Sequence, residues 1–191
     1  MGDSFLRHTF FVILVLLVVA CSIASASEHS AETNLGMTAE DFIGKMGYAC
    51  SRVPSGMSRE LLEENYTPSN GTSDVIAYNS SVIILLNREK SSKILRNVAV
   101  SYVFEQSERS ENYHDHGYKP DEEVVFSSIC MQTLLALNSG MTVPDARAIL
   151  KEIGLYGALL DGVQRSVKRD GLMYIMKLQP NGMAVMAVSH L

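Results

Sequence analysis

The sequence predicts an α+β protein built as a tandem repeat, in which each half has two helices followed by a three-stranded antiparallel meander. In both halves, apolar residues first recur at helical spacing and then form short β-branched runs. The turn Ser55-Gly56-Met57-Ser58 recurs as Ser139-Gly140-Met141-Thr142, each time just before a predicted helix. These observations predict helices packed on one face of the sheet.

The first repeat is predicted at residues 38–104. Thr38 and Asp41 are spaced as a capping box, and apolar residues follow at helical intervals as far as Cys50. Ser58 begins a shorter helix, and a cluster of breaker residues, TPSNGTS, follows it. Three strands are then expected, at 75–78, 81–86 and 98–104. The middle one is apolar throughout, which indicates burial on both faces.

A charged stretch at 105–119 lacks aliphatic residues and predicts an exposed linker. The second repeat is predicted at 120–191. A long helix begins at Pro120, and Thr142 with Asp145 caps the helix after it. Three strands follow, at 162–168, 172–178 and 183–189. The sequences Asp-Gly and Pro-Asn-Gly between these apolar runs predict hairpins.

The amino terminus predicts export from the cytoplasm. Residues 10–20 form an unbroken apolar run, shorter than the roughly 20 residues that a transmembrane helix needs. Cleavage after the A-x-A sequence at 24–26 would release a soluble protein with a polar tether at 27–37. Alternatively, Val18-Val19-Ala20-Cys21 resembles a bacterial lipobox, which gives a signal peptide at 1–20 and makes Cys21 the lipidated first residue. An uncleaved anchor at 10–26 is the third alternative.

All three alternatives place the body of the protein beyond a membrane. For a bacterium this predicts the periplasm or, with a lipid anchor, the outer membrane, and otherwise secretion. The chain has a formal net charge of −5 and 47% hydrophobic residues. Nucleic acid is not expected as a partner, because phosphate contacts need clustered Lys and Arg.

Cys50 and Cys130 remain in the body whichever site is cut. An oxidising compartment permits a disulfide between them, whereas free cysteine packs as a small hydrophobic residue, so both interpretations stay open. The chain has no C-x-x-C pair and therefore no zinc-knuckle or thioredoxin-like motif.

His114 and His116, with Asp115 between them, are the weak candidates for metal binding, because imidazoles two residues apart can reach one ion. A solvated polar loop is the simpler interpretation. The chain contains no G-x-S-x-G, Walker or H-E-x-x-H motif. We therefore predict no catalytic residue, no cofactor and no enzymatic activity.

Met173, Met176 and Met186 are the candidate partner-binding residues. They lie on two neighbouring predicted strands that are apolar on both faces apart from Lys177. One face is expected against the helices, and the other must be covered by the first repeat, by a second copy of the chain or by a partner. Methionine adapts to irregular surfaces, which suits an interface.

The stretch from Gly140-Met141-Thr142 to Ile149-Leu150, with the strands behind it, resembles small bacterial envelope proteins. The resemblance is to the β-lactamase inhibitor protein and the small outer-membrane assembly lipoproteins, in which such a turn leads a helix before a meander sheet. It implies a non-catalytic protein that binds another protein, as an inhibitor or immunity protein against a periplasmic enzyme or toxin. A role in an envelope assembly complex is the alternative that it implies, and a small metal-binding hydrolase is a third hypothesis.

Overall fold

The computed structural model describes residues 34–53, 55–103, 120–156, 163–179 and 183–191. Within these ranges there are four helices and seven strands. The helices are α1 (Ala39–Cys50), α2 (Arg59–Glu64), α3 (Pro120–Leu137) and α4 (Val143–Glu152). The strands are β1 (Tyr66–Thr67), β2 (Ser73–Ala77), β3 (Val82–Arg88), β4 (Leu95–Val103), β5 (Gln164–Arg169), β6 (Leu172–Gln179) and β7 (Met183–His190).

The seven strands form a single antiparallel sheet in the order β1-β2-β3-β4-β7-β6-β5. The α+β class is therefore confirmed, but the predicted tandem repeat of a helix pair and a three-stranded meander is wrong. The strands of the two predicted meanders form one sheet because β4 pairs with β7 from Asn97↔Ser189 to Val103↔Met183. Left as sheet edges, these two apolar strands would present unpaired backbone N–H and C=O groups, and their pairing satisfies both rows.

Several predicted segments fall outside the described ranges. The signal peptide and its two cleavage sites, the tether as far as residue 33 and the whole linker at 105–119 belong to this group. Strand β1 was not predicted, because its two residues follow directly on α2 and lead into the breaker cluster. The domain boundaries themselves stay predictions.

Both predicted capping boxes are confirmed. The Asp41 amide donates to Thr38 Oγ1 at 3.2 Å, while the Thr38 amide donates to Asp41 Oδ2 at 3.1 Å. At the start of α4, the Asp145 amide donates to Thr142 Oγ1 at 3.3 Å and the Thr142 amide donates to Asp145 Oδ2 at 3.1 Å. These hydrogen bonds hold the pKa of both carboxyl groups below the usual range. The largest effect comes from the Thr38 backbone amide for Asp41 and from the Thr142 side chain for Asp145.

The main core lies between the helices and one face of the sheet. The rings of Tyr102 on β4 and Phe126 on α3 stack with centroids 5.4 Å apart. Because strand side chains alternate between faces, the residues buried with Tyr102 identify the helix-covered face. That face includes the fully buried Ile76, Ile84, Val100, Tyr174, Met176 and Met186.

Candidate functional site

The three candidate methionines do not share one face of the sheet. Met176 and Met186 are directly opposite each other on β6 and β7, on the helix-covered face, and both are fully buried. Met173 is half-buried and points to the other face. Met176 and Met186 therefore contribute to the core, and only Met173 lies where a partner could reach it without opening that core.

The two cysteines of the body are free thiols in the structure. Cys50 ends α1 and is half-buried, whereas Cys130 lies in α3 and is fully buried. Burial raises the pKa of the Cys130 thiol well above its usual value. The disulfide interpretation is therefore not realised in this structure, in which Cys130 packs as a small apolar residue.

The remaining predicted sites, the lipidation residue Cys21 and the metal candidates His114 and His116, lie outside the described ranges. Among the residues that the structure describes, no group of three or more His, Cys, Asp or Glu side chains is placed to hold a metal ion. In the same part of the chain, no helix has both the length and the apolar character needed to cross a membrane.

The opposite side of the sheet, here called the helix-free face, has an apolar centre. Strand pairing places five apolar side chains in one row across it. They are Val75, Leu85, Ala99, Ala187 and Ile175. Ile83, Val185 and Met183 extend this row toward one end of the strands. Its buried side chains, among them Leu85 and Ala99, do not belong to the core cluster that the sheet forms with the described helices.

A polar row borders this apolar centre at the other end of the strands. Ser73 Oγ donates to Asn87 Oδ1 at 2.6 Å, and Asn87 Nδ2 donates to Asn97 Oδ1 at 2.6 Å. Ser189 is opposite Asn97 and continues the row into β7. Among the described strand residues, the pairing register places the charged side chains of Lys168 and Lys177 on the helix-free face and no acidic side chain, although the whole chain is acidic.

A second candidate site is a cleft of about 650 Å³ where α3 ends, α4 begins and β5 turns into β6. Three apolar side chains with slight residual exposure form its floor, namely Leu137, Met141 and Leu172. Its polar lining comes from Asn138, Ser139, Gly140, Asp145, Arg169 and Asp170. The cleft thus includes Ser139-Gly140-Met141, most of the second copy of the recurrent turn.

Arg169 is the positive charge in this lining, and the carboxylates of Glu152 and Asp145 lie near it. Its guanidinium is 3.6 Å from Glu152 Oε2, and both side chains are largely exposed. Asp170 and Gly171 both have positive φ, 54° and 77°, as the predicted Asp-Gly hairpin turn requires. The turn therefore fixes the Asp170 backbone beside Arg169 at the edge of the cleft.

Tyr174 lies beneath the cleft. Its hydroxyl is buried and makes no well-formed hydrogen bond, although the Asn138 side chain is close enough to act on it. Burial, and then the negative charge of Asp170, raise the pKa of Tyr174 to about 12. Since the groups that act on this hydroxyl are Asn138, Arg169 and Asp170, it lies next to the polar lining of the cleft.

Tyr66 and Tyr174 are expected to titrate late in a spectroscopic titration of tyrosinate. The pKa of Tyr66 is raised to about 12, mainly by burial and next by the hydrogen bond that Tyr66 donates to Asp74 at 3.0 Å. The pKa of Tyr174 is also about 12. Each hydroxyl keeps its proton to a higher pH in the folded protein than in the unfolded chain. The contribution of each to the free energy of unfolding is therefore fully present below about pH 10 and is lost as the pH rises through about 12. Tyr66→Phe and Tyr174→Phe should each remove one late transition, and a titration that either leaves unchanged would contradict the assignment.

Sequence reasoning missed the cleft, because its two sides lie about thirty residues apart. Both sides carried local signals, since Gly140-Met141 belongs to the recurrent turn and Asp170-Gly171 was predicted as a hairpin turn. Nothing in the local patterns indicated that these turns would meet. In comparisons of the whole chain, no protein-family model, no curated protein and no solved structure matches it.

Proposed function

We propose that the mature protein is an exported, non-catalytic protein that binds another protein through the helix-free face. The observation that supports this proposal is the apolar row from Val75 to Ile175, bordered by hydrogen-bonded serine and asparagine side chains. Protein interfaces have this anatomy, with an apolar centre and a polar rim. Both proposed cleavages remove the leader and leave residues 34–191 intact, and the described helices share their core cluster with the opposite face of the sheet.

The partner in this proposal is an enzyme or toxin that acts in the periplasm, and the protein acts as its inhibitor or immunity protein. Lys168 and Lys177 favour a partner surface that carries acidic groups beside its apolar contact. The buried Cys130 thiol is poorly suited to act as a nucleophile, which supports a binding role. A second copy of the chain on the same face would give a homodimer instead.

An envelope assembly lipoprotein is the second candidate function, and the lipobox-like sequence ending at Cys21 favours it. Mass spectrometry of the mature amino terminus distinguishes lipidation at Cys21 from cleavage after Ala26. In affinity capture from envelope extract, one stoichiometric enzyme or toxin would support inhibition. Recovery of an outer-membrane complex would support the assembly role.

Ile175→Glu is expected to weaken partner capture by at least about tenfold, because it places a charge in the centre of a proposed apolar interface. The matched control is Ala148→Glu, which adds the same charge on the exposed surface of α4. Binding of the captured protein is measured by surface plasmon resonance, with circular dichroism to verify folding. Equal affinities for Ile175→Glu and wild type, with both folded, would rule out the helix-free face as the binding surface.

A further inference from the structure

We propose that the cleft between the end of α3 and the β5–β6 turn binds an α-amino acid unit with an apolar side chain. The recognised chemistry is a primary ammonium group next to a carbonyl or carboxylate oxygen. Both a free amino acid and the first residue of a peptide present it. This site lies apart from the helix-free face and does not depend on the function proposed for that face.

The ammonium group has two carboxylates to bind. Asp145 makes both of its capping contacts with Thr142 through Oδ2, so its Oδ1 atom has no partner among the described residues. Asp170 is exposed, and its left-handed backbone conformation holds it at the edge of the cleft. Charge-assisted hydrogen bonds from an ammonium group to such carboxylates are stronger than hydrogen bonds between neutral groups.

The oxygen atom of the ligand has two side-chain donors in the lining. Arg169 contacts Glu152 through one guanidinium nitrogen at 3.6 Å, which leaves its other N–H groups for a ligand. Asn138 accepts from the Gly140 amide with Oδ1, so its amide nitrogen is the atom that remains for donation. The Tyr174 hydroxyl lies beneath these donors, next to Asn138, but it is fully buried and is not part of the lining.

The apolar side chain of the ligand has a floor to contact. Leu137, Met141 and Leu172 are only 9%, 5% and 8% exposed, and that residual surface faces the cleft. The volume of about 650 Å³ falls within the range of small-molecule sites, which are apolar with a few fixed polar groups. A side chain the size of leucine or methionine therefore fits beside the polar lining.

Simpler ligands match this lining less well. A carboxylate alone would be repelled by Asp145 and Asp170, which outnumber the one guanidinium in the lining. A cation alone would be repelled by Arg169 and would leave the donors of Arg169 and Asn138 without an acceptor. An α-amino acid unit supplies a positive group, an acceptor oxygen and an apolar side chain at short separation, so it matches all three parts of the cleft.

The test is an NMR titration of the ¹⁵N-labelled mature protein with L-leucine, L-leucinamide and N-acetyl-L-leucinamide. We expect shifts of the amide signals of residues 137–142 and 169–172. Acetylation removes the ammonium charge and should weaken binding by about tenfold or more. Tighter binding of leucine identifies a free amino acid, whereas tighter binding of leucinamide identifies the first residue of a peptide.

Two substitutions test the assigned contacts. Asp170→Asn tolerates the left-handed conformation and should weaken leucinamide binding by about fivefold. Asp145→Asn should act in the same direction, whereas Asp41→Asn, at the matching capping position of α1, should leave affinity unchanged. Arg169→Gln removes the charged donor of the lining and should weaken binding by about fivefold.

Three results would overturn the proposal. They are equal binding of N-acetyl-L-leucinamide, shifts confined to other parts of the protein, and unchanged affinity in both Asp170→Asn and Arg169→Gln. Since the helix-free face is not involved, none of these results bears on partner capture. Loss of partner capture in Ile175→Glu with intact leucine binding would likewise separate the two proposals.

Discussion

Replacing Gln132 with methionine should lower the free energy of unfolding by about 3 kcal/mol, because it removes three buried hydrogen bonds at once. Gln132 lies in α3 and is fully buried. Its Nε2 atom donates to the carbonyl oxygens of Met46 and Met57 at 2.6 and 2.7 Å, and its Oε1 atom accepts from the Met57 amide at 2.9 Å. One side chain therefore ties α3 to α1 and to the turn before α2.

Methionine has nearly the volume of glutamine, so this substitution isolates the hydrogen bonds from the packing. The buried Met57 amide loses its acceptor, and burying an unpaired polar group costs more than the hydrogen bond itself contributed. Gly56→Ala should act on the same contact, because an added Cβ would lie 2.7 Å from Gln132 Oε1. Both substitutions leave the apolar core between the helices and the sheet unchanged in composition.

The measurement is chemical denaturation followed by circular dichroism. The matched control is Gln164→Ala on β5, where the side chain is exposed and no change of stability is expected. Domains of this size are stable by only about 5–15 kcal/mol, so a loss of 3 kcal/mol shifts the midpoint clearly. A loss below about 1 kcal/mol for Gln132→Met would show that the hydrogen bonds do not hold the helices together.

Asp74→Ala should destabilise the protein by about 4 kcal/mol, because it leaves the charge of Arg88 buried without its partner. The Arg88 Nε atom is 3.0 Å from Asp74 Oδ2, and the two side chains are only 14% and 3% exposed. Asp74 Oδ1 also accepts from the Ser69 amide at 2.8 Å, while Arg88 donates to the Ser69 carbonyl oxygen at 2.7 Å. This network holds the loop between β1 and β2 against the sheet.

Arg59 and Glu63 on α2 provide the matched comparison. Their Nε to Oε1 distance is 2.7 Å, shorter than that of the buried pair, but both side chains are more than half exposed. Water screens such a pair, so Glu63→Ala should leave stability unchanged within error. If Asp74→Ala and Glu63→Ala lower the free energy of unfolding by the same amount, burial does not explain the strength of the Asp74–Arg88 pair.

A double variant tests whether the cost comes from the orphaned charge. Asp74→Leu together with Arg88→Met replaces the pair by apolar side chains of similar size and should lose less stability than Asp74→Ala alone. Thermal unfolding and amide hydrogen exchange in residues 66–74 measure this difference. A double variant that is less stable than the single one would assign the cost to lost hydrogen bonds with the loop.

The local features of the fold could be predicted because their causes lie within a few residues. The capping boxes Thr38–Asp41 and Thr142–Asp145 and the Asp170-Gly171 turn depend on contacts between near neighbours in sequence. Six of the seven strands of the described residues were predicted within about three residues of their ends. Strand β1 was missed because its two residues pair only with β2 and have no periodicity of their own.

The candidate sites could be predicted only in part. Apolar runs indicated that β6 and β7 are covered on both faces, but alternation alone could not show which face meets the helices. That face depends on contacts such as Tyr102 against Phe126, between residues distant in sequence. Met176 and Met186 were consequently placed at an interface, although they lie in the core.

The sequence by itself therefore determined where helices begin, where hairpins turn and that the class is α+β, because short-range hydrogen bonds and side-chain periodicity decide these features. Only the tertiary structure decided that β4 and β7 join two predicted sheets into one, that Gln132 unites three segments, and that the turns at Gly140 and Asp170 form a cleft. These features depend on apolar edges and buried polar groups finding partners far along the chain, and no local pattern specifies which partner is found.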